Sequence, residues 1–225
     1  MKIAICISTR NRPKELAKCI HEWEKHVLCN QDTRLFIVDD ASDNKYCDAD
    51  YRFEERAGIP KVKNKCIALA IQWDADHIFL CDDDVWPLQY DAIRPYIDSP
   101  FKILCYTFYK PIMQGESHKY HIKGNGCMIY IHRDVIDSIG GFDIRFGLGK
   151  FEHTEYFERA HRFGLIPVKG FPFIDIANSH ELFHSMDEHN EVKRSFSSEE
   201  MKELLNRNRE HYYKTRFSTE FIPYK

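Results

Sequence analysis

The chain has 225 residues, of which 43% are hydrophobic and 30% charged, and a formal net charge of −3. That composition fits a water-soluble globular protein with room for one large core. It excludes a global basic field that would draw the chain to nucleic acid or anionic lipid, although a local basic patch stays open.

The eight cysteines, at 6, 19, 29, 47, 66, 81, 105 and 127, contain no CxxC pair. Cys6, Cys81 and Cys105 lie in apolar runs, where a thiol packs as a small hydrophobe. Reduced thiols and a cytoplasmic location are expected, with disulfides the alternative. The first apolar run, residues 3–7, is too short for a signal segment or a membrane span.

Residues 2–8 predict a first strand, followed by the polar turn Ser8-Thr9-Arg10-Asn11-Arg12-Pro13. Pro13 suits a first helical position, and Leu16, Cys19, Ile20 and Trp23 recur at helical spacing. Residues 35–38 predict strand two, ending in Asp39-Asp40. Residues 61–73 carry Val62, Cys66, Leu69 and Ala70 on one helical face. Residues 77–81 predict strand three, ending at Asp82-Asp83-Asp84. A short helix over 88–97 and a strand over 103–109 follow. Strand, helix, strand, helix, strand argues for a parallel, doubly wound sheet.

The second half reads differently. Residues 109–123 are a polar excursion and a candidate loop. A strand over 126–132, a short helix over 134–139 and a turn at Gly140-Gly141-Phe142-Asp143 follow. Residues 152–163 predict a helix with Glu152, His153 and Glu155 in its first turn, where acids also serve to complement the helix dipole. Short strands are expected at 166–168 and 171–176. Ser197-Ser198-Glu199-Glu200 reads as a helix start, and the charged helix runs to about residue 213. The Lys and Arg residues of that helix read as a solvated face.

Three adjacent carboxylates at a strand end repel one another and call for a counter-charge. A hard divalent cation, Mg²⁺ or Mn²⁺, suits oxygen ligands; a solvated acidic turn before Pro87 is the alternative. The carboxyl end of a strand is where open α/β sheets bind ligands. Asp39-Asp40 ends another strand, and Arg10 and Arg12 follow the first, so a phosphate, a base or a ribose is in reach. The chain has neither GxGxxG nor GxxxxGK[ST], so no glycine-rich cradle holds a nucleotide. His180, His184 and His189 cluster late in the chain, and an imidazole joins carboxylates well around Mn²⁺. No HExxH and no cysteine cluster argues for zinc.

These motifs, in order, resemble GT-A glycosyltransferases of the large family 2 type. Residues 7–13 (Ile-Ser-Thr-Arg-Asn-Arg-Pro), 36–43 (Phe-Ile-Val-Asp-Asp-Ala-Ser-Asp), 79–84 (Phe-Leu-Cys-Asp-Asp-Asp) and 140–143 (Gly-Gly-Phe-Asp) carry the resemblance, with Glu152-His153-Thr154-Glu155 and Arg159 beyond. Residues 184–191 are similar to the metal-binding histidine segment of β-1,4-galactosyltransferases. Glu-Xaa-Xaa-Glu at 152–155 also resembles polypeptide N-acetylgalactosaminyltransferases.

The resemblance implies a GT-A (Rossmann-like) α/β domain: a mixed, mostly parallel central sheet flanked by helices. It would cover residues 1–196, with a nucleotide-binding half (1–110) and an acceptor and metal half (111–196). Residues 197–225 would be a C-terminal helical extension. Thr9, Arg10, Arg12, Asp39, Asp40, Asn64, Asp82 and Asp83 would serve the nucleotide. Asp84 would be on the metal, Mn²⁺ or Mg²⁺, with His184 and, as a second candidate, His180. Gly140, Gly141, Phe142 and Glu155 would line the sugar site. The family's base is an Asp where His153 stands, so Glu152 or His153 would serve. The implied activity is transfer of a sugar from a nucleotide donor, a UDP-sugar, to a hydroxyl of a glycan, lipid, protein or nucleic acid, with inversion. A retaining transferase, a metal-dependent nucleotidyltransferase and a non-catalytic sugar-nucleotide binding module are the alternatives.

Overall fold

The run Ile3-Ala4-Ile5-Cys6-Ile7 is buried throughout, as a strand covered on both faces must be. It forms β1 (Ile3–Thr9) at the middle of the main sheet. The computed structural model describes residues 1–27, 32–45, 48–191 and 197–225; Cys29 and Cys47 lie outside the described residues. The other six cysteines are free and buried.

In chain order α1 (Pro13–His26), β2 (Thr33–Asp39), β3 (Tyr51–Arg52), α2 (Ile59–Gln72) and β4 (His77–Asp82) complete the first half of the fold. Pro13 does open α1, which buries Leu16, Cys19 and Trp23 on one face. Next come β5 (Val85–Pro87), α3 (Arg94–Ile97), β6 (Ile103–Cys105), β7 (Met113–Gln114), β8 (His118–His121) and β9 (Met128–His132). Then α4 (Arg133–Ile139), a 3₁₀ turn (Ile144–Phe146), α5 (Glu152–Arg162), β10 (Phe173–Ile176), α6 (Ser179–Leu182), β11 (Phe183–Ser185) and α7 (Ser198–Thr215) follow.

The six-stranded sheet has the order β3-β2-β1-β4-β9-β6. β1 to β4 run parallel, as expected, while β9 is antiparallel to both β4 and β6. The register pairs Ser8 with Asp82 and Thr9 with Asp39, so the carboxyl ends of β1, β2 and β4 lie side by side. At the start of α2, Gly58 has φ 86°, and a Cβ there would sit 2.2 Å from the Gly147 carbonyl oxygen. Only glycine lets α2 begin that close to the 147–151 loop.

Several sequence expectations need correction. The helix expected over 88–97 begins only at Arg94, because Asp91 takes a left-handed φ of 58°. The strand expected to reach residue 109 stops at Cys105, because the Thr107 amide turns to Asp175 at 3.1 Å. Residues 109–123 are not merely a loop: β7 and β8 form a hairpin that joins β10 in a three-stranded antiparallel sheet. Residues 166–168 pair with no strand among the described residues. No described helix is long and apolar enough to cross a membrane.

α7 opens with the capping box read from its sequence: the Glu200 amide donates to the Ser197 hydroxyl, and the Ser197 amide to Glu200. Its buried stripe is Leu204, Asn208 and Tyr212. Beyond it the chain returns to the domain, where the Ile222 amide donates to Ile139 and the Gly141 amide to Ile222. Residues 197–225 are therefore packed into the fold, while Lys202, Arg207, Arg209 and Lys214 keep the solvated face expected of them.

His121, on β8, is 1% exposed. Burial, aided by the Lys119 charge, lowers it to about 4. An unfolded histidine protonates near 6.5, so the folded state binds this proton less well. Its contribution is intact above pH 6.5 and is lost as pH falls toward 4, reaching about 3 kcal/mol. His121→Phe is expected to flatten the acid limb of stability between those values, read as Tm against pH.

Candidate active site

The register of β1 with β4 sets the turn after β1 against the three aspartates. The Thr9 hydroxyl donates to Asp83 Oδ2 at 2.6 Å. Arg12 Nη1 donates to Asp83 Oδ1 at 2.9 Å and to Asp84 Oδ2 at 2.6 Å. Arg12 caps α1 by position only; no side-chain cap bond is made there. Ser8 Oγ reaches Asp82 Oδ1 at 3.2 Å.

Asp83 and Asp84 are buried and Asp82 half-buried. Burial pushes Asp83 up to about 7 against the pull of Arg12. Burial and the Asp82 charge push Asp84 up to about 6, again against Arg12. Asp82 is raised too, by burial first, although Lys63 opposes the shift. One guanidinium and a nearby ammonium thus do not balance three carboxylates, and the cluster has appetite for further positive charge.

Among the described residues no group of three or more His, Cys, Asp or Glu is arranged to hold a metal ion. Mg²⁺ needs no such cage, since one or two carboxylates and substrate phosphates commonly bind it. The oxygen-only donor set and its raised carboxylates fit such an ion.

The cluster lies in a cavity of about 820 Å³, within the range of small-molecule sites. Thr9, Arg10, Arg12, Asp40 and Asp82 to Asp84 line it, as read from sequence. Asp40 Oδ1 also accepts from the Ala57 amide at 2.5 Å, which holds the turn before α2. Asp39 does not line the cavity. Its carboxylate accepts from Ser42 Oγ at 2.6 Å and Arg52 Nη1 at 2.7 Å, and so braces the loop after β2.

Asn64 also stands off the cavity wall. It donates to the Phe142 carbonyl at 2.9 Å and accepts from the Phe142 amide at 2.7 Å. Gly140, Gly141 and Phe142 are buried at that junction, with Phe142 stacked on Tyr156 at 4.3 Å. Glu155 forms a buried ion pair with Arg159, 2.8 Å away.

Neither Glu152 nor His153 is among the residues that line the cavity. Glu152 is 3% exposed. Its Oε1 lies 3.3 Å from His153 Nδ1, and its Oε2 is buried with no hydrogen-bond partner among the described residues. His153 Nε2 lies 3.2 Å from the Gly124 carbonyl. Both ring nitrogens thus face oxygen atoms that can accept. Burial works to raise Glu152, but His153 and Lys63 outweigh it and hold the carboxyl at about 2. Lys63, whose Nζ donates to the Gly126 carbonyl at 2.5 Å, thus acts on both Glu152 and Asp82.

None of His180, His184 and His189 is among the residues that line the cavity. β11 pairs with β5, setting His184 opposite Trp86, where the rings stack at 4.5 Å. His189 in turn stacks on His184 at 4.7 Å. His180 is exposed beside Glu181. The turn after β11 brings Met186 and Asp187 to the cavity instead, and the Met186 amide donates to the Asp84 carbonyl at 3.1 Å.

Sequence reasoning also missed Arg56, Leu148, Lys150, Met201 and Leu205 on the same wall. The signal for the last two was present: Met201, Leu204, Leu205, Asn208 and Tyr212 recur at helical spacing.

No protein-family model matches this chain, and no curated protein matches it. Solved structures do. S. aureus TarS 1–349 in complex with UDP superposes with TM-score 0.60 at 12% identity, over 95% of this chain and 72% of that one. A mutant Drosophila β-1,4-galactosyltransferase 7 with manganese, UDP-Gal and xylobiose gives TM-score 0.54 at 16% identity, over 89% and 78%. The fold is GT-A. A Pyrobaculum calidifontis mannosyltransferase with GDP-Man and Mn²⁺ is similar as well, with TM-score 0.55 at 12% identity over 72% and 52%. In this GT-A fold the aspartate cluster stands at the carboxyl edge of the parallel strands, where open sheets take their ligands.

Proposed function

We propose that this chain is a metal-dependent glycosyltransferase that moves a sugar from a nucleotide-sugar, a UDP-sugar, to an acceptor hydroxyl with inversion. The observation that carries the reading is the undercompensated Asp82-Asp83-Asp84 cluster, clamped by Thr9 and Arg12 inside a cavity of nucleotide size. The bound UDP, UDP-Gal, GDP-Man and Mn²⁺ of the GT-A neighbours agree with it.

Asp82 and Asp84 would hold Mg²⁺ or Mn²⁺, with the donor diphosphate supplying further oxygens. When bound, the ion supplies charge stabilisation to the departing diphosphate. Thr9 and Arg12 fix Asp83 and Asp84 in place. Arg10 and Asp40 border the nucleotide from the ends of β1 and β2. The acceptor oxygen bonds to the anomeric carbon as the bond from that carbon to the diphosphate oxygen breaks. The acceptor proton would pass to Glu152 Oε2, the carboxylate oxygen with no hydrogen-bond partner among the described residues. His153 and Lys63 keep Glu152 ionised and oriented.

A donor screen reads this directly. Nucleoside diphosphate should be released from one class of donor, with Mn²⁺ or Mg²⁺ present and not after chelation. Pyrophosphate in its place would mean nucleotidyl transfer, and binding without turnover a binding module.

A further inference from the structure

The cations of the cavity fall into two groups. Arg12 is tied to the aspartates. Arg10, Arg56 and Lys150 reach the wall from the turn after β1, the turn before α2 and the loop before α5. Those last two segments abut, since Gly58 packs on Gly147 and Gly149 on Ile59. Arg10 Nε is buried with no hydrogen-bond partner among the described residues. Burial, and then the Arg10 charge, lower Arg56 below its ordinary value against the opposing pull of Asp40 and Glu200, so the two guanidiniums act on one another. Like charges held together at a cavity wall favour an anion between them.

Lys150 is delivered by a costly backbone. Lys150 and Phe151 are consecutive residues with φ of 73° and 69°, a conformation that side chains with a Cβ rarely adopt. Such strain persists only where the surroundings impose it, and it concentrates at functional sites. Here α7 imposes it. Asn208, 1% exposed, donates Nδ2 to the carbonyls of Phe146 at 2.7 Å and Lys150 at 3.2 Å, and also to that of Gly149. Tyr212 stacks on Phe151 at 5.3 Å. A buried amide committed to three loop carbonyls is a device for holding that loop.

We propose that Arg10, Arg56 and Lys150 form a subsite for a phosphate-class oxyanion on the α7 side of the cavity, with Asn208 as the positioning residue that presents Lys150. The subsite is separate from the aspartate cluster. Its two sources rest on the glycosyltransfer reading: the donor diphosphate, or a phosphate carried by the acceptor.

The test is equilibrium titration of wild type, Lys150→Met, Lys150→Arg and Asn208→Ala with pyrophosphate, UDP, uridine and glycerol 3-phosphate. Chelator in the buffer removes metal-bridged affinity, and Tm is measured alongside. Lys150→Met should weaken binding of at least one phosphorylated probe by about tenfold, the loss of one charge-assisted hydrogen bond. Uridine binding should not change, and Lys150→Arg should restore the phosphorylated probe. Asn208→Ala should show the same loss although Lys150 remains. If that variant does not fold, Asn208→Ser, which keeps one donor, takes its place. A loss confined to UDP and pyrophosphate assigns the donor, and one confined to glycerol 3-phosphate assigns the acceptor. Wild-type affinity of Lys150→Met for all three phosphorylated probes overturns the subsite. A lowered Tm in the Asn208 variant with phosphate binding unchanged overturns the positioning role. Lys150-dependent pyrophosphate binding in a protein that turns over no donor overturns the glycosyltransfer reading and leaves the subsite standing.

Discussion

Asp84→Ala should lower sugar transfer by about a thousandfold, the several kcal/mol that a catalytic cation supplies. Asp84 is buried beside Asp82 and Asp83 and accepts from Arg12 at 2.6 Å. Its removal takes away one of the two carboxylates proposed to hold the ion. It also relieves repulsion within the cluster, so the loss of rate should come without a comparable fall in Tm. Excess Mn²⁺ should recover part of the rate, because Asp82 remains. Full activity in chelated wild-type enzyme would sink the metal assignment.

The second large effect concerns the base. Glu152→Gln should lower kcat by roughly a hundredfold or more, the usual range for a lost general base, with donor affinity retained. His153→Asn should cost less, because His153 acts through Glu152, 3.3 Å away. The pH profile separates the two. Glu152 is held at about 2 by His153 and Lys63 against burial, so it stays ionised down to strongly acid pH. A histidine base would lose activity around its ordinary value of about 6.5. An inactive His153→Asn beside an active Glu152→Gln would reverse the assignment.

The first half of this fold was legible because its strands are continuous apolar runs and its helices have clean periodicity. β1 and β4 could be read almost to the residue, and both ended in the polar residues that meet at Ser8 and Asp82. The 88–123 stretch was not legible, because its course is set by Asp91 and by Thr107 bonding to Asp175, 68 positions away in sequence. At the site, the aspartates and Thr9, Arg10, Arg12 and Asp40 follow from strand ends. His184 was singled out by its chemistry; the pairing of β11 with β5, which stacks it on Trp86 and brings Met186 and Asp187 to the cavity, could not be read from sequence. Lys150 carried no local signal, since a conformation held from α7 leaves no trace in its own neighbours.

The clamp of α7 on residues 146–150 also bears on how the protein is made. Synthesis is vectorial, and early segments collapse before late ones exist. β1, β2 and β4 can form their parallel core once residue 82 has cleared the ribosome. Met201, Leu205 and Asn208 arrive more than a hundred residues later. A nascent chain therefore carries the aspartate cluster well before it carries the wall that faces it. A ribosome stalled between those points would display a sheet with an open, unfinished cleft, and the binding cavity closes only as α7 docks.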